Sequence, residues 1–333
     1  MTEPTSRALT VRTRDLMNCR NRSHVQISRA SLELDILNAE GGVVLKLSAE
    51  KIVGRHCGVL GATGGGKSWT IATLLNQIKA VGGRVILFDP TGEFADVPSI
   101  SRHYTFNQAE GGAAIVHFPY QSMTEDDLFA LFRPSGQSQG PKLRDAIRSP
   151  KLIAAVGGKP VAGVAVENGL VVKRQKRRAT YVAALDAHKQ QINNSHRAFD
   201  VFKPPDQLQN ECVWSSDNRN DPANWGDTDN LQLGYCETLV ARIRMLTHAP
   251  ELACLFRTDG TSLVKVLTDF FVNETDDLIR ISFRNVRFEH HTREILVNII
   301  GRFLLESARK DTFRNKPMIA ILDPSVPRTD GWR

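Results

Sequence analysis

A chain of 333 residues can bury a substantial core, as one large domain or as a domain with a sizeable insertion. Its content of 41% hydrophobic and 24% charged residues is ordinary for a soluble protein. No apolar run approaches the length of a membrane span, and the N-terminus lacks the apolar core of a signal peptide, so we predict a cytoplasmic protein with no membrane partner. The formal net charge of +7 suits a polyanionic partner but is weak evidence for nucleic acid.

The N-terminal part of the chain contains the first predicted strand, helix, strand unit. Residues 1–50 are too few for a separate domain; the stretch HVQISRASLELDIL could form one or two strands, so we interpret them as a remnant β-barrel or linker. The apolar run Cys57 to Leu60 predicts a strand, and a glycine-rich turn and a helix ended by Gly82 and Gly83 follow it. The apolar face of this helix contains Ile71, Leu74, Leu75 and Ile78. The run from Arg84 to Phe88 then predicts a buried parallel strand.

Regular patterns weaken in the middle of the chain and return near its end. A strand is predicted at Ile115 to Phe118, and Thr124 can cap the helix after it. We interpret residues 134–235 as an insertion in which Pro150 breaks the pattern, with a helix at about Ala179 to Phe199 and a long polar loop. The later predicted elements are helices near Glu237 to His248 and Leu263 to Val272, a strand at Leu278 to Phe283, a long helix through Ile295 and Leu304, and a buried strand at Met318 to Leu322.

The segment GATGGGKS, from Gly61 to Ser68, satisfies the pattern of a phosphate-binding P-loop (Walker A) and lies between a predicted strand and a predicted helix. Its glycines allow backbone N–H groups to turn toward phosphate oxygens, and the positive end of the helix adds to the attraction. Lys67 can reach the β and γ phosphates, and the Ser68 hydroxyl can bind Mg²⁺. We therefore predict ATP and Mg²⁺ as cofactors. The predicted nucleotide-binding residues here are Gly61, Ala62, Thr63, Gly64, Gly65, Gly66, Lys67, Ser68 and Trp69.

Hydrolysis also requires acidic residues at the ends of neighbouring strands. Asp323 follows the last predicted strand, where it could hold Mg²⁺ and take part in catalysis, or only form an acidic turn. In FDPTGEF, Asp89 is a candidate Mg²⁺ ligand and Glu93 a candidate catalytic carboxylate, because open parallel sheets bind ligands at the carboxyl ends of their strands. The alternative is that Asp89 and its neighbours only build a turn. Both interpretations stay open at this point.

Three segments together resemble the HerA family of the HerA/FtsK superfamily of ring-forming, DNA-translocating ATPases. They are GRHCGVLGATGGGKS from Gly54, FDPTGEF from Phe88, and the segment from Ile279 through Lys310, which KPMIAILD follows. The resemblance covers most of the chain from about Lys51 onward. It implies a RecA-like parallel sheet, a hexameric ring, ATP hydrolysis between subunits and DNA in a central channel, often beside a nuclease or other effector protein.

The chain departs from the family pattern at both ends. Members usually have a complete N-terminal β-barrel and, after the aspartate, a glutamate, further strands and an arginine finger. Here Pro324 takes the place of that glutamate and residues 324–333 form an atypical tail, so the resemblance implies a truncated member in which ring formation and turnover are open. Arg55 matches a basic position that can reach a neighbouring subunit's nucleotide, although an exposed loop arginine is the alternative.

Three other groups of residues have a functional and a structural interpretation. The basic run from Lys173 to Arg178 could contact DNA phosphates, but such runs are most often solvated loop charge. His290 and His291 could bind a metal, but adjacent residues on a helix face different ways, which favours structural or solvent-facing histidines. The five cysteines lack the paired short spacing of a zinc site and are interpreted as buried or idle thiols.

Together these observations predict an α/β fold: a RecA-like P-loop ATPase domain at 51–323, with a mainly parallel sheet flanked by helices and a helical insertion at about 134–235. The predicted function is the ATP-binding motor subunit of a DNA translocase or helicase in a repair or anti-phage defence assembly. The alternative function is a non-hydrolysing ATP-binding fragment or regulatory subunit, which Pro324 and the tail after it favour.

Overall fold

The computed structural model describes residues 9–10, 31–36, 43–48, 56–60, 64–194, 199–257, 259–272, 278–310, 312 and 318–322. The chain divides into two compact units. The first, which we call the sheet unit, comprises 1–116, 265–287 and 300–333. The second, which we call the helical unit, comprises 117–264 and 288–299.

The strands and helices are numbered in chain order. The strands are β1 Leu9–Thr10, β2 Ser31–Ile36, β3 Val43–Ser48, β4 Arg84–Asp89, β5 Arg102–Phe106, β6 Ala114–His117, β7 Ala165–Glu167, β8 Leu170–Val172, β9 Thr261–Ser262, β10 Leu278–Ser282 and β11 Met318–Leu322. The α-helices are α1 Lys67–Ala80, α2 Glu125–Phe132, α3 Gly136–Ala155, α4 Arg178–Ala187, α5 Lys189–Ile192, α6 Pro204–Glu211, α7 Asn230–His248, α8 Ala253–Phe256, α9 Leu263–Val272 and α10 Thr292–Arg309. Short 3₁₀ helices lie at Tyr120–Ser122, Pro250–Leu252 and Glu289–His291.

Parallel strands dominate the sheet unit. Strands β11, β4, β10, β5 and β6 lie side by side in that order, and each neighbouring pair is parallel. The pairing of β10 with β4 places Ser282 beside Asp89, so the carboxyl ends of these two strands meet at one edge of the sheet. A separate antiparallel sheet contains β1, β2 and β3. The parallel sheet with its helices confirms the predicted α/β class of a RecA-like P-loop core.

Strand β4 is buried on both faces, as its continuous apolar run predicts. Successive side chains of a strand point to opposite faces, so Val85 and Leu87 share one face. They pack in one hydrophobic cluster with the apolar face of α1, which contains Ile71, Leu74, Leu75 and Ile78. The amphipathic pattern that predicted this helix is therefore the pattern that docks it onto the sheet.

The helical unit contains the whole segment, residues 134–235, that is interpreted as an insertion. Its helix α2 begins with a capping box between Thr124 and Asp127, as the sequence indicates. An apolar cluster of this unit includes Leu152, Val171, Tyr181, Ala184 and Ile192. The predicted boundaries of the ATPase domain and of the insertion stay predictions.

Several local predictions were wrong for identifiable reasons. Residues 56–60 do not form the predicted strand, and Leu60 is 91% exposed. A strand needs a neighbouring strand for its backbone hydrogen bonds, and no described strand pairs with these residues. Helix α3 continues through Pro150, because buried side chains on its inner face outweigh the missing N–H group. The helix predicted from Ala179 divides at His188 into α4 and α5. The stretch HVQISRASLELDIL is described only over Ser31–Ile36.

Candidate nucleotide-binding site

Two glycines in the described part of the predicted P-loop have a left-handed backbone. Gly64 and Gly66 have positive φ angles of 77° and 80°, which favour glycine because it lacks a Cβ atom. Helix α1 begins directly afterwards at Lys67. No side chain caps its start and its first turn contains no acidic residue, so its first N–H groups and its positive end are not neutralised by a carboxylate of that turn. This is the environment in which an anionic phosphate binds.

The structure brings together two of the predicted site residues, Ser68 and Glu93. The Ser68 hydroxyl donates a hydrogen bond to Oε2 of Glu93. Ser68 is in the first turn of α1, whereas Glu93 lies in the turn that follows β4. The predicted Mg²⁺ ligand and the predicted catalytic carboxylate therefore occupy one site. Trp69 is the next residue of α1 and is 45% exposed.

Asp89 lies at the end of β4 and is fully buried. Its Oδ1 accepts hydrogen bonds from the backbone N–H groups of Thr91 (3.3 Å) and Gly92 (2.8 Å), and its Oδ2 accepts one from that of Phe94 (3.1 Å). These are the contacts of a turn-building aspartate. Its role as a Mg²⁺ ligand stays a prediction.

An arginine in the middle of β10 pairs with Asp89. Arg280 is 1% exposed, and its Nε donates to Oδ2 of Asp89 at 2.6 Å. Its Nη2 donates to Oε1 of Glu110 at 2.5 Å, and the Ser282 hydroxyl donates to the other Glu110 oxygen at 2.5 Å. The sequence reasoning missed Arg280, Glu110 and Ser282. The available signal was an arginine inside the apolar strand LIRIS, since a buried arginine requires an acidic partner.

Charge and burial shift the pKa values in this network. Burial disfavours the charged form of Glu110, but the hydrogen bonds from Ser282 and Arg280 and the charge of Arg280 outweigh it, so the pKa of Glu110 is lowered. Burial, and next to it the charge of Arg280, also lower the pKa of His103. Both shifts favour an arrangement in which Glu110 is ionised and His103 is neutral at neutral pH.

The remaining predicted site residues lie outside the described residues. They are Arg55, Gly61, Ala62, Thr63 and Asp323. Gly65 is described and lies between the two left-handed glycines. The roles of all these residues in binding nucleotide or Mg²⁺ stay predictions.

The basic run of the helical unit is partly structural. Lys173 is 5% exposed and forms an ion pair with buried Glu211, so the prediction of a solvated or DNA-contacting side chain is wrong for this residue. Arg174 forms a surface ion pair with Asp227 at 2.9 Å. Arg178 donates to two backbone carbonyls. Burial in the fold therefore explains Lys173, whereas Arg174 and Arg178 make contacts at the surface.

The described histidines, cysteines and helices bear on whether the chain binds a metal or crosses a membrane. His290 and His291 are exposed with positive φ angles, and the described residues contain no cluster of three His, Cys, Asp or Glu that could hold a metal ion. Cys212, Cys236 and Cys254 are buried free thiols, and Cys57 is an exposed one. In the part of the chain that the structure describes, no helix has both the length and the apolar character needed to cross a membrane.

Sequence comparison relates part of the chain to known helicases. Residues 35–199 match the family described as "Helicase HerA, central domain". A probable helicase of Methanocaldococcus jannaschii is 32% identical over 122 residues, which are 36% of this chain and 23% of that protein. The DNA double-strand break repair helicase HerA of Pyrococcus furiosus is 36% identical over 67 residues, 20% of this chain and 12% of that protein. The HerA of Saccharolobus solfataricus is 44% identical over 50 residues, 14% of this chain and 10% of that protein. The chain therefore matches less than a quarter of the length of each of these relatives.

Proposed function

Residues 35–199 match the central domain of helicase HerA, and from that premise we propose that the chain is a HerA-like P-loop ATPase. In this proposal it binds ATP with Mg²⁺ at the P-loop and hydrolyses it with Glu93 as the carboxylate that orients water. The observation that carries this proposal is the hydrogen bond between Ser68 and Glu93. A P-loop serine binds the magnesium of the nucleotide, so a carboxylate in contact with it lies beside the reacting phosphate.

Binding depends on groups at the start of α1. The uncapped N–H groups of this helix and the left-handed glycines before it fit phosphate oxygens, and Lys67 adds a positive charge at the first position of the helix. Bound Mg²⁺ would neutralise charge on the transferred phosphate group. Ser68 would hold that ion, and Asp323, which follows β11 in the sequence, is the proposed acidic ligand.

Glu93 has the position that a water-activating group requires. It lies at the carboxyl end of β4, at the edge of the parallel sheet where such folds place their chemistry. From there its carboxylate can accept a proton from the attacking water and orient it in line with the leaving group. This assignment supplies the group that Pro324 cannot supply.

The DNA partner and the motor role are further parts of the proposal. The relatives from Pyrococcus furiosus and Saccharolobus solfataricus are named as DNA double-strand break repair helicases, and we propose that this chain likewise couples ATP hydrolysis to DNA movement. In the basic run, Lys176 and Arg177 are exposed and available for phosphate contacts. A homo-oligomeric ring, an effector protein and a cytoplasmic location are proposed on the same basis.

The test is a paired measurement of ATP binding and steady-state phosphate release, with and without DNA, for the natural chain and for Glu93→Gln. We expect Glu93→Gln to bind ATP with unchanged affinity and to lose turnover by about two or more orders of magnitude. Ser101→Ala is the control, because its hydroxyl bonds to the carbonyl of Leu278, away from Ser68. Binding without turnover in the natural chain would instead support the non-hydrolysing alternative.

A further inference from the structure

The turn that carries Glu93 is closed by backbone groups that all bond to one carboxylate. Asp89 receives the N–H groups of residues 91, 92 and 94, which lie on both sides of Glu93. The position of Glu93 beside Ser68 therefore depends on where the Asp89 carboxylate is held. Asp89 is 0% exposed, so water cannot hold it.

Arg280 holds the Asp89 carboxylate in place. Its guanidinium bridges Asp89 and Glu110 through two different nitrogen atoms, at 2.6 Å and 2.5 Å. Arg280 sits on β10, which pairs with both β4 and β5. A planar guanidinium with two carboxylate partners has a defined orientation, which a flexible ammonium group would lack. The hydrogen bonds of Arg280 therefore hold the turn in a fixed position relative to the strands of the sheet.

Glu110 also lies close to Gly92 in the turn. A Cβ atom added at Gly92 would lie 3.3 Å from Oε1 of Glu110 and 2.8 Å from Cδ of Arg284. Glu110 thus lies next to Gly92, and its two carboxylate oxygens accept hydrogen bonds from Arg280 and Ser282. Glu110 belongs to the loop that connects β5 and β6, and its side chain is 10% exposed. We therefore expect a substitution there to leave the strands unchanged.

We infer that Arg280 and Glu110 are positioning residues that hold the Asp89 to Phe94 turn and thereby keep Glu93 against Ser68. Neither residue touches the nucleotide in this assignment. The inference deepens the proposed function and rests on it only for the effect on turnover, since the clamp on the turn is a property of the folded chain.

The test uses Glu110→Gln, which keeps the shape of the side chain but removes its charge and one acceptor oxygen. Hydrogen–deuterium exchange should show the amides of Gly92 and Phe94 exchanging about tenfold faster or more, with β4 itself unchanged. In the ATPase assay, kcat should fall about tenfold while the KM for ATP changes less than about twofold, since misplacement of a catalytic group affects the reaction more than binding.

Two further variants make the result specific. Glu125→Gln is the matched control, because Glu125 accepts a 2.6 Å hydrogen bond from Arg144 in an ion pair of the helical unit and should change neither measurement. Arg280→Lys keeps the positive charge but lacks the planar group whose separate nitrogens fix the two carboxylates, so it should give the same two effects as Glu110→Gln.

The outcomes separate the inference from the proposed function. Unchanged exchange at Gly92 and Phe94 in Glu110→Gln would overturn the clamp, whatever the ATPase result. Faster exchange with an unchanged kcat in an active enzyme would overturn the positioning role. Absence of turnover in the natural chain would refute the proposed hydrolysis, and the exchange measurement would still decide whether the clamp exists.

Discussion

Lys173, which belongs to the basic run in the sequence, is part of a buried ion pair in the structure. Its ammonium forms an ion pair with Glu211 and lies 4.3 Å from the ring centroid of Tyr181 and 5.1 Å from that of Trp225. The side chains of Lys173 and Glu211 are only 6% and 0% exposed. Glu211 also accepts hydrogen bonds from Ser149 and Gln207, both at 2.7 Å. The pair is therefore desolvated, and one oxygen of Glu211 accepts two further hydrogen bonds.

The substitution Lys173→Met leaves the buried Glu211 without its counter-charge. Removing one partner of a buried ion pair costs about 3–5 kcal/mol of the free energy of unfolding. The double variant Lys173→Met with Glu211→Gln removes both charges and retains an acceptor oxygen at position 211. It should therefore be more stable than Lys173→Met alone, by about 2 kcal/mol or more. Urea unfolding followed by tryptophan fluorescence measures both, because Trp225 lies beside Lys173.

The neighbouring residue provides the control. Arg174 pairs with Asp227 at the surface, with side chains 60% and 58% exposed, so Arg174→Met should cost no more than about 1 kcal/mol. If Lys173→Met and Arg174→Met lowered the free energy of unfolding by equal and small amounts, the reasoning would be refuted, since both Lys173 and Arg174 would then be solvated. Burial by itself would lower the pKa of Lys173, but the charges of Glu211, Tyr181 and Asp145 and the hydrogen bond with Glu211 together raise it. The contribution of the ion pair to stability is therefore present at neutral pH and is lost only as the pH rises through that raised value.

Four other results are expected. Lys67→Ala should weaken binding of a fluorescent ATP analogue by more than the roughly 1 kcal/mol of a neutral hydrogen bond, and unchanged affinity would refute the P-loop assignment. Gly92→Ala, at a φ of 87° and against Arg284, should lower the melting temperature more than Gly111→Ala, at a φ of 54° in open space. The pKa of Glu110 is lowered, so its stabilisation is present above the ordinary value of 4.5 and is lost as the pH falls through the lowered one; Glu110→Gln should lack this loss in acid unfolding. DNA affinity should fall steeply with salt for unrelated duplexes, and a flat salt response with strong sequence preference would contradict phosphate contacts.

The sequence by itself determined the elements whose signals are local. The apolar face of α1, the continuous apolar run of β4 and the octapeptide from Gly61 to Ser68 each lie within one short segment. The hydrophobic periodicity predicts the secondary structure of such segments, because the same residues form the element and its buried face. Helix α9 was predicted with the bounds that the structure gives it, Leu263–Val272. The family resemblance also rested on contiguous motifs.

Only the tertiary structure decided which distant side chains meet. Arg280 is 191 positions from Asp89 and 170 from Glu110, and Lys173 reaches Glu211 from another element of the chain. No periodic pattern records such pairs, because the contact depends on strand order and register and not on spacing along the chain. For the same reason the sequence left Glu93 as one of several acidic candidates, and folding brought it to Ser68, 25 residues away. A buried charge needs a partner, and only the folded chain decides which residue that partner is.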